Sequence, residues 1–240
     1  MKVLKRTDEI IKEDLLDKAR ESGLLLLVDK PASWTSFDVC NKVRWLTKIK
    51  KVGHSGTLDP AATGLLLLGL GRGTKQLHEL TGLDKVYSGI IKLGATTKTD
   101  DGEAEEENIK VVDFLTKDDI ELAIDKLRGP IKQKPPKFSA KKIKGKKMYQ
   151  LAAKGVEFEV KEYDVEVFRF DIHEIDLPYL TFEIHCSKGT YIRSLARDLG
   201  ELLGVGGYLY TLRRDKISDY DVNDAFKITE LEELLKKEDA

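Results

Sequence analysis

Two cysteines, Cys40 and Cys186, are all that the 240-residue chain contains. They are too few and too far apart for a disulfide framework, and both read as small buried hydrophobes. Only four histidines are present, without ligand spacing: His78-Glu79 has no second histidine at the right offset, and His185-Cys186 stands alone. No metal site is expected. No apolar run approaches the ~20 residues of a membrane-spanning helix, and the N-terminus shows neither the apolar stretch nor the cleavage site of a signal peptide. No membrane partner is expected, and the cytoplasm is the expected location. A nucleotide loop is missing too. Gly69 to Lys75 reads G-L-G-R-G-T-K, whereas a Walker loop needs Gly-Lys-Ser/Thr in that order, and the dinucleotide pattern fails at its last glycine.

What remains is an ordinary globular composition, 41% hydrophobic and 35% charged, long enough to bury one core with room for an insertion. The net charge of −1 conceals a polarised chain. From Thr99 to Asp125 there are eleven carboxylates against Lys110 and Lys117; from Lys132 to Lys154 there are nine lysines and no carboxylate. The second run is interleaved with Pro135, Pro136, Phe138 and Tyr149. Lysines meet phosphates and rings stack on bases, so this segment favours a nucleic-acid contact over a merely solvated face.

The richest stretch runs from Lys51 to Lys75 and begins K-V-G-H-S-G-T-L-D-P-A-A-T-G. Its glycines permit positive φ or close backbone approach. Pro60 biases Asp59 away from helical geometry and so holds the carboxylate at a bend. An Asp-Pro pair is also a common helix cap, with Asp as cap and Pro in the first turn. The company of His54, Ser55, Thr57 and Thr63 favours a site over punctuation.

Hydrophobic periodicity predicts an amphipathic helix over Asp8–Glu21, carrying Ile10, Ile11, Leu15, Leu16 and Ala19 on its apolar side, as an N-terminal extension (1–23) on the surface of one main domain (24–240). Leu24–Val28 and Leu65–Leu70 read as buried strands. Ser33 to Ser36 supplies a turn and a cap for a helix from about Phe37 to Thr47. Strands are expected at Tyr87–Leu93, Tyr163–Ile175 and Leu180–Cys186, with a loop or weak hairpin over Thr96–Glu107. Further helices are expected at Leu115–Leu127, capped by Thr116, and from Thr190. Arg193 then falls near a helix N-terminus, where the dipole disfavours a cation, so a buried carboxylate partner is expected; the alternative is a surface pair with Asp198 or Glu201. Thr229 and Glu232 form a capping box for a last helix to about Lys237.

G-H-S-G-T-L-D-P-A-A-T-G resembles the signature of the TruB family, the bacterial tRNA pseudouridine-55 synthases. So do D-K-P before T-S-x-D, D-K-x-Y leading to L-G, Q-x-P-P-x-F-S-A-x-K-x-x-G-K, I-H-C-S-K-G-T-Y-I-R, and L-R-R at Leu212. The family's T-x-T-x-D-x-x-x-G pattern is read here as degraded. The resemblance covers about Leu24 to Leu235. It implies an α+β fold, a mixed, largely antiparallel sheet flanked by helices, with a mobile basic thumb at about 129–155 and no C-terminal PUA-type domain. Asp59 would be the catalytic residue, paired with Arg193 and joined by Tyr87 as the stacking surface. His54 would wedge into the RNA loop, Leu212 would wall the uracil pocket, and Tyr191 would lie beside the pair. Lys30, Lys141 and Lys146 would complete the substrate contacts. The implied partner is the T-arm of tRNA, handled by a monomer with no cofactor and no guide RNA. The alternatives are a guide-dependent synthase subunit, a non-catalytic RNA-binding module, and a protein in which Asp59 merely caps a helix.

Overall fold

The computed structural model describes residues 2–8, 12–143 and 145–236. Ile10, Ile11 and Lys237, assigned above to helices, lie outside them. The chain forms two compact units, Met1–Tyr87 with Leu212–Ala240, and Ser88–Thr211. The divisions fall inside two strands, Lys85–Leu93 and Gly207–Ile217.

In the first unit the leucine-rich runs decide the architecture. Strand Leu24–Lys30 pairs antiparallel with Thr63–Leu70, from Leu24 opposite Leu70 to Lys30 opposite Gly64. Alternate side chains of a strand point to opposite faces, so an unbroken apolar run demands cover on both. Leu24, Leu26, Val28, Leu66, Leu68 and Leu70 pack on one face with Leu15, Val39, Val43 and Leu231 from three helices, Lys12–Glu21, Ser36–Thr47 and Ile228–Lys236. Leu25, Leu27, Leu65 and Leu67 pack on the other with Leu80, Ile217 and Val222. Each buried leucine contributes about 1.5–3 kcal/mol. Val52–His54 pairs with Leu68–Leu70, and Arg213 and Arg214 run parallel to Thr63 and Gly64. Gly64 takes φ +106°, and a Cβ there would lie 2.3 Å from the Arg214 carbonyl oxygen. Only glycine fits.

Two sequence readings change here. The N-terminal segment is more than a packed helix: Lys2–Leu4 joins the sheet parallel to Leu24–Leu26, while Leu15 and Ala19 are buried as an amphipathic helix requires. Thr229 does not cap the last helix, which starts at Ile228 directly after Phe226–Lys227 pairs with Val28–Asp29; Glu230 receives the Lys227 amide at 2.8 Å. Strand pairing brings the chain to the helix start earlier than the Thr-x-x-Glu pattern suggests.

The second unit orders its main strands as Gly207–Thr211 and Ser88–Leu93 (its shares of Gly207–Ile217 and Lys85–Leu93), Tyr179–Cys186, Tyr163–Asp176, Gly129–Gln133. Tyr163–Asp176 pairs antiparallel with both neighbours, Tyr179–Cys186 and Gly129–Gln133. Tyr179–Cys186 alternates half-buried and buried residues, the signature of a strand with one covered face. Helices Lys117–Asp125, capped by Thr116, and Ile192–Leu202 bury Ile120, Ile124, Leu195 and Leu199. Thr96–Thr97 pairs with Glu106–Glu107, the weak hairpin expected. The fold is α+β, with a largely antiparallel sheet flanked by helices.

Candidate active site

Asp59 lies between strands Val52–His54 and Thr63–Leu70, half-exposed, and no helix begins at Pro60. A cap role for Asp59 is therefore excluded. The bend is held from behind by the D-K-P and T-S segments. Ser36 Oγ receives the Leu58 amide at 2.9 Å and donates to the Leu58 carbonyl at 3.2 Å. The Ser33 amide donates to Pro60 O at 2.9 Å. Lys30 is fully buried, and its ammonium donates to the carbonyls of Pro31, Trp34 and Pro60 at 2.9, 2.6 and 3.0 Å. This corrects its expected place among the substrate contacts: a lysine with no exposed surface and three internal acceptors positions the Asp59 bend. Leu58 beneath is buried while Asp59 emerges, so one residue anchors and the next presents its carboxylate.

His54 ends its strand opposite Leu68, half-buried, with Nδ1 accepting the Gly56 amide at 3.3 Å. Burial, and then the Arg214 cation, push its pKa below the ordinary histidine value. The lowered pKa favours the neutral imidazole, whose Nδ1 accepts from the Gly56 amide. Arg214 is buried; its Nε donates to Leu65 O at 2.7 Å and Nη2 to Gly56 O at 3.3 Å, tying the His54 loop to the sheet. Arg213 grips the Asp29 carboxylate with both terminal nitrogens at 2.8 and 3.2 Å. Leu212, just before them, is half-buried, and Tyr87 is buried at 9% exposure.

The depressed His54 pKa carries a stability signature. Below about pH 6.5 the unfolded chain takes up a proton that the native ring resists, so stability falls as pH drops towards the native pKa. Thermal melts from pH 7.5 to 5 should show a shallower acid decline in His54→Gln than in the wild type; parallel curves would contradict the assignment.

In the second unit Tyr191 caps helix Ile192–Leu202, clamped by Gln133: the Tyr191 amide donates to Oε1 at 2.8 Å, and Nε2 donates to Tyr191 O at 3.1 Å. Arg193 is 6% exposed. Its guanidinium lies 3.3 Å from the Asp101 carboxylate and donates to Thr99 O at 2.9 Å and Phe138 O at 3.1 Å. A buried carboxylate, that of Asp101, thus lies against Arg193, while Asp198 and Glu201 pair with Arg197. Reading the T-x-T-x-D-x-x-x-G pattern as degraded hides Asp101 in the sequence. In the structure those residues form one turn: Thr97 Oγ1 donates to Asp101 O at 2.7 Å, Thr99 Oγ1 to the Asp101 carboxylate at 2.5 Å, and the Glu103 amide to the same oxygen at 3.0 Å. Gln133 and Ser36 were also missed as supports, although both fall within the motifs quoted above.

The thumb holds a short hairpin, Lys142–Ile143 with Lys146–Lys147, leading into helix Met148–Ala152. Lys146 is exposed on it. Lys141 is half-buried over the Tyr163 ring, 5.9 Å from the Tyr191 ring centre, and burial lowers its pKa. Among the described residues no helix is long and apolar enough to cross a membrane.

The same fold occurs in the crystal structure of the archaeal box H/ACA sRNP Nop10-Cbf5 complex, with TM-score 0.66 and 23% identity over 91% of this chain. It occurs again in a Cbf5-Nop10-Gar1 complex, with TM-score 0.69 and 23% identity over 94% of this chain. This chain spans 55% and 58% of those two chains. Residues 44–192 match the TruB family pseudouridylate synthase N-terminal domain, and residues 193–240 match the tRNA pseudouridylate synthase B C-terminal domain. Among curated relatives, tRNA pseudouridine synthase B of Chloroherpeton thalassium is 47% identical over 95% of this chain and 97% of its own length. That of Chlorobaculum tepidum is 48% identical over 87% of this chain and 89% of its own. Fold, motifs and relatives define a pseudouridine synthase, an isomerase. The chain belongs to the TruB family.

Proposed function

We propose that this enzyme converts the T-loop uridine at position 55 of tRNA to pseudouridine, acting in the cytoplasm as a monomer without a guide RNA. The observation that carries the reading is the Asp59 bend, which presents a carboxylate from a braced turn rather than spending it on a helix cap. The relatives at 47–48% identity bear the name of tRNA pseudouridine synthases.

The reaction breaks the N1–C1′ bond of uridine, turns the base and rejoins it through C5; the C5 proton leaves and N1 gains one. No electron is exchanged. A stacked base is out of reach, so the nucleotide must be flipped out. His54, neutral, fills the gap it leaves. Tyr87 stacks on the extruded base and Leu212 walls its pocket. Asp59 acts as the ionised carboxylate at the glycosidic bond. Arg193 pairs with Asp59 during turnover, keeping it charged and oriented, while Asp101 holds Arg193. Tyr191 lies beside them, and Lys141 and Lys146 meet the RNA backbone.

The test uses a T-arm stem–loop tritiated at C5 of its uridines, with no other RNA present. Tritium release supports the reading. No release from the stem–loop or from whole tRNA sinks it and promotes a guide-dependent enzyme.

A further inference from the structure

Helix Ser36–Thr47 buries Val39, Cys40, Val43 and Thr47, yet its outer side carries two large aromatics that the core does not use. Phe37 is 60% exposed and Trp45 57%. Eight residues apart, they lie on one side of the helix. Each ring is already attended by cations. Lys42 and Lys48 place their ammonium groups 5.1 and 5.0 Å from the Trp45 ring centre, and the Arg44 guanidinium lies 5.3 Å from that of Phe37. From Ser36 to Lys51 there are five cations, Lys42, Arg44, Lys48, Lys50 and Lys51, against one carboxylate, Asp38. Asp38 is turned back on its own helix, accepting the amide and the hydroxyl of Thr35 at 2.9 and 2.6 Å.

We propose that this face, centred on Trp45, is a second RNA subsite, taking an unpaired base and its flanking phosphates from the part of the tRNA outside the T-arm. The inference rests on the tRNA reading above. Lys42 also pairs with the Glu232 carboxylate, so the exposed indole beside Lys48 is what matches the demands of a nucleotide: the ring stacks on the base and the Lys48 ammonium meets a flanking phosphate. A protein partner fits less well, since lysine is depleted from protein–protein interface cores. The face is also joined to the proposed wedge, because Arg44 Nη2 donates to Val52 O at 2.9 Å, in the strand that ends at His54.

The experiment compares two substrates, whole tRNA and the isolated T-arm stem–loop, with Trp45→Ala, Trp45→Phe and Lys48→Gln in the full chain. Trp45→Ala should raise KM for whole tRNA by about tenfold, the loss of one stacked base, with kcat and stem–loop turnover unchanged. Trp45→Phe should restore most of the loss, and Lys48→Gln should flatten the salt dependence of whole-tRNA binding by about one counterion. Equal losses on both substrates would overturn the proposal by showing an effect on the whole fold. An unchanged KM on both would overturn it by leaving the face to a protein. Quenching of tryptophan fluorescence by whole tRNA, lost in Trp45→Ala, reads the subsite without turnover. A failed tritium assay would thus bear on the reaction alone.

Discussion

Asp59→Asn should reduce tritium release from the T-arm stem–loop by at least about 10⁴-fold while leaving RNA affinity within about twofold of the wild type. Asparagine matches the carboxylate in shape but carries no charge, and under the proposed mechanism the loss of an ionised carboxylate at the glycosidic bond costs on this order. The bend itself should survive the change. The bonds described for it run to backbone carbonyls and amides of Leu58 and Pro60, from Ser33, Ser36 and Lys30. Single-turnover tritium release and filter binding on the same preparation separate the outcomes. Turnover near the wild-type rate would remove Asp59 from the chemistry. Loss of binding together with turnover would make it a structural residue.

Arg193→Met should destabilise the protein by about 3–5 kcal/mol, because it leaves the Asp101 carboxylate without its cation in a site where both side chains are nearly buried. In a chain of this size that lowers the melting temperature by about 10 °C. Two backbone acceptors, Thr99 O and Phe138 O, lose their donor as well. The double variant Arg193→Met, Asp101→Asn should recover part of the loss, since the charge left behind is then gone. Arg193→Lys should melt between the two, a single ammonium being unable to span a carboxylate and two carbonyls as the guanidinium fork does. A melting temperature of Arg193→Met within about 2 °C of the wild type would show that the Asp101 contact contributes little to stability.

The local elements could be read from the sequence because their signals are local. Thr35 and Thr116 cap their helices with a reciprocal aspartate three residues on. The runs Leu24–Val28 and Leu65–Leu70 are apolar at every position or nearly so, and only a doubly covered strand accommodates that pattern. Arg193 at the start of a helix posed an electrostatic problem that required a carboxylate, and Asp101 answers it. The motif resemblance names Asp59 for that role; Asp101 is not legible beside it, because it is far from Arg193 along the chain and the turn that aims it is built by Thr97 and Thr99.

Lys30 shows the opposite limit. A lysine beside a proline at a strand end is open to a substrate contact in sequence, where charge is visible and burial is not. Folding closes three carbonyls around its ammonium and makes it an internal brace. Thr229 fails for a similar reason, since strand pairing at Phe226–Lys227 sets the helix start before the capping pattern can act.

The sequence by itself determined the family, the residue types at the Asp59 bend, the lysine-rich segment and most strands and helices, because motif chemistry and hydrophobic period are properties of neighbouring residues. Tertiary structure alone decided which polar groups brace the site and which face solvent. Ser36, Gln133, Asp101 and Arg214 took on their roles only when long-range closure brought them to Leu58, Tyr191, Arg193 and Gly56. A buried polar group must find a partner wherever the fold delivers one, and the fold, not the spacing, delivers it.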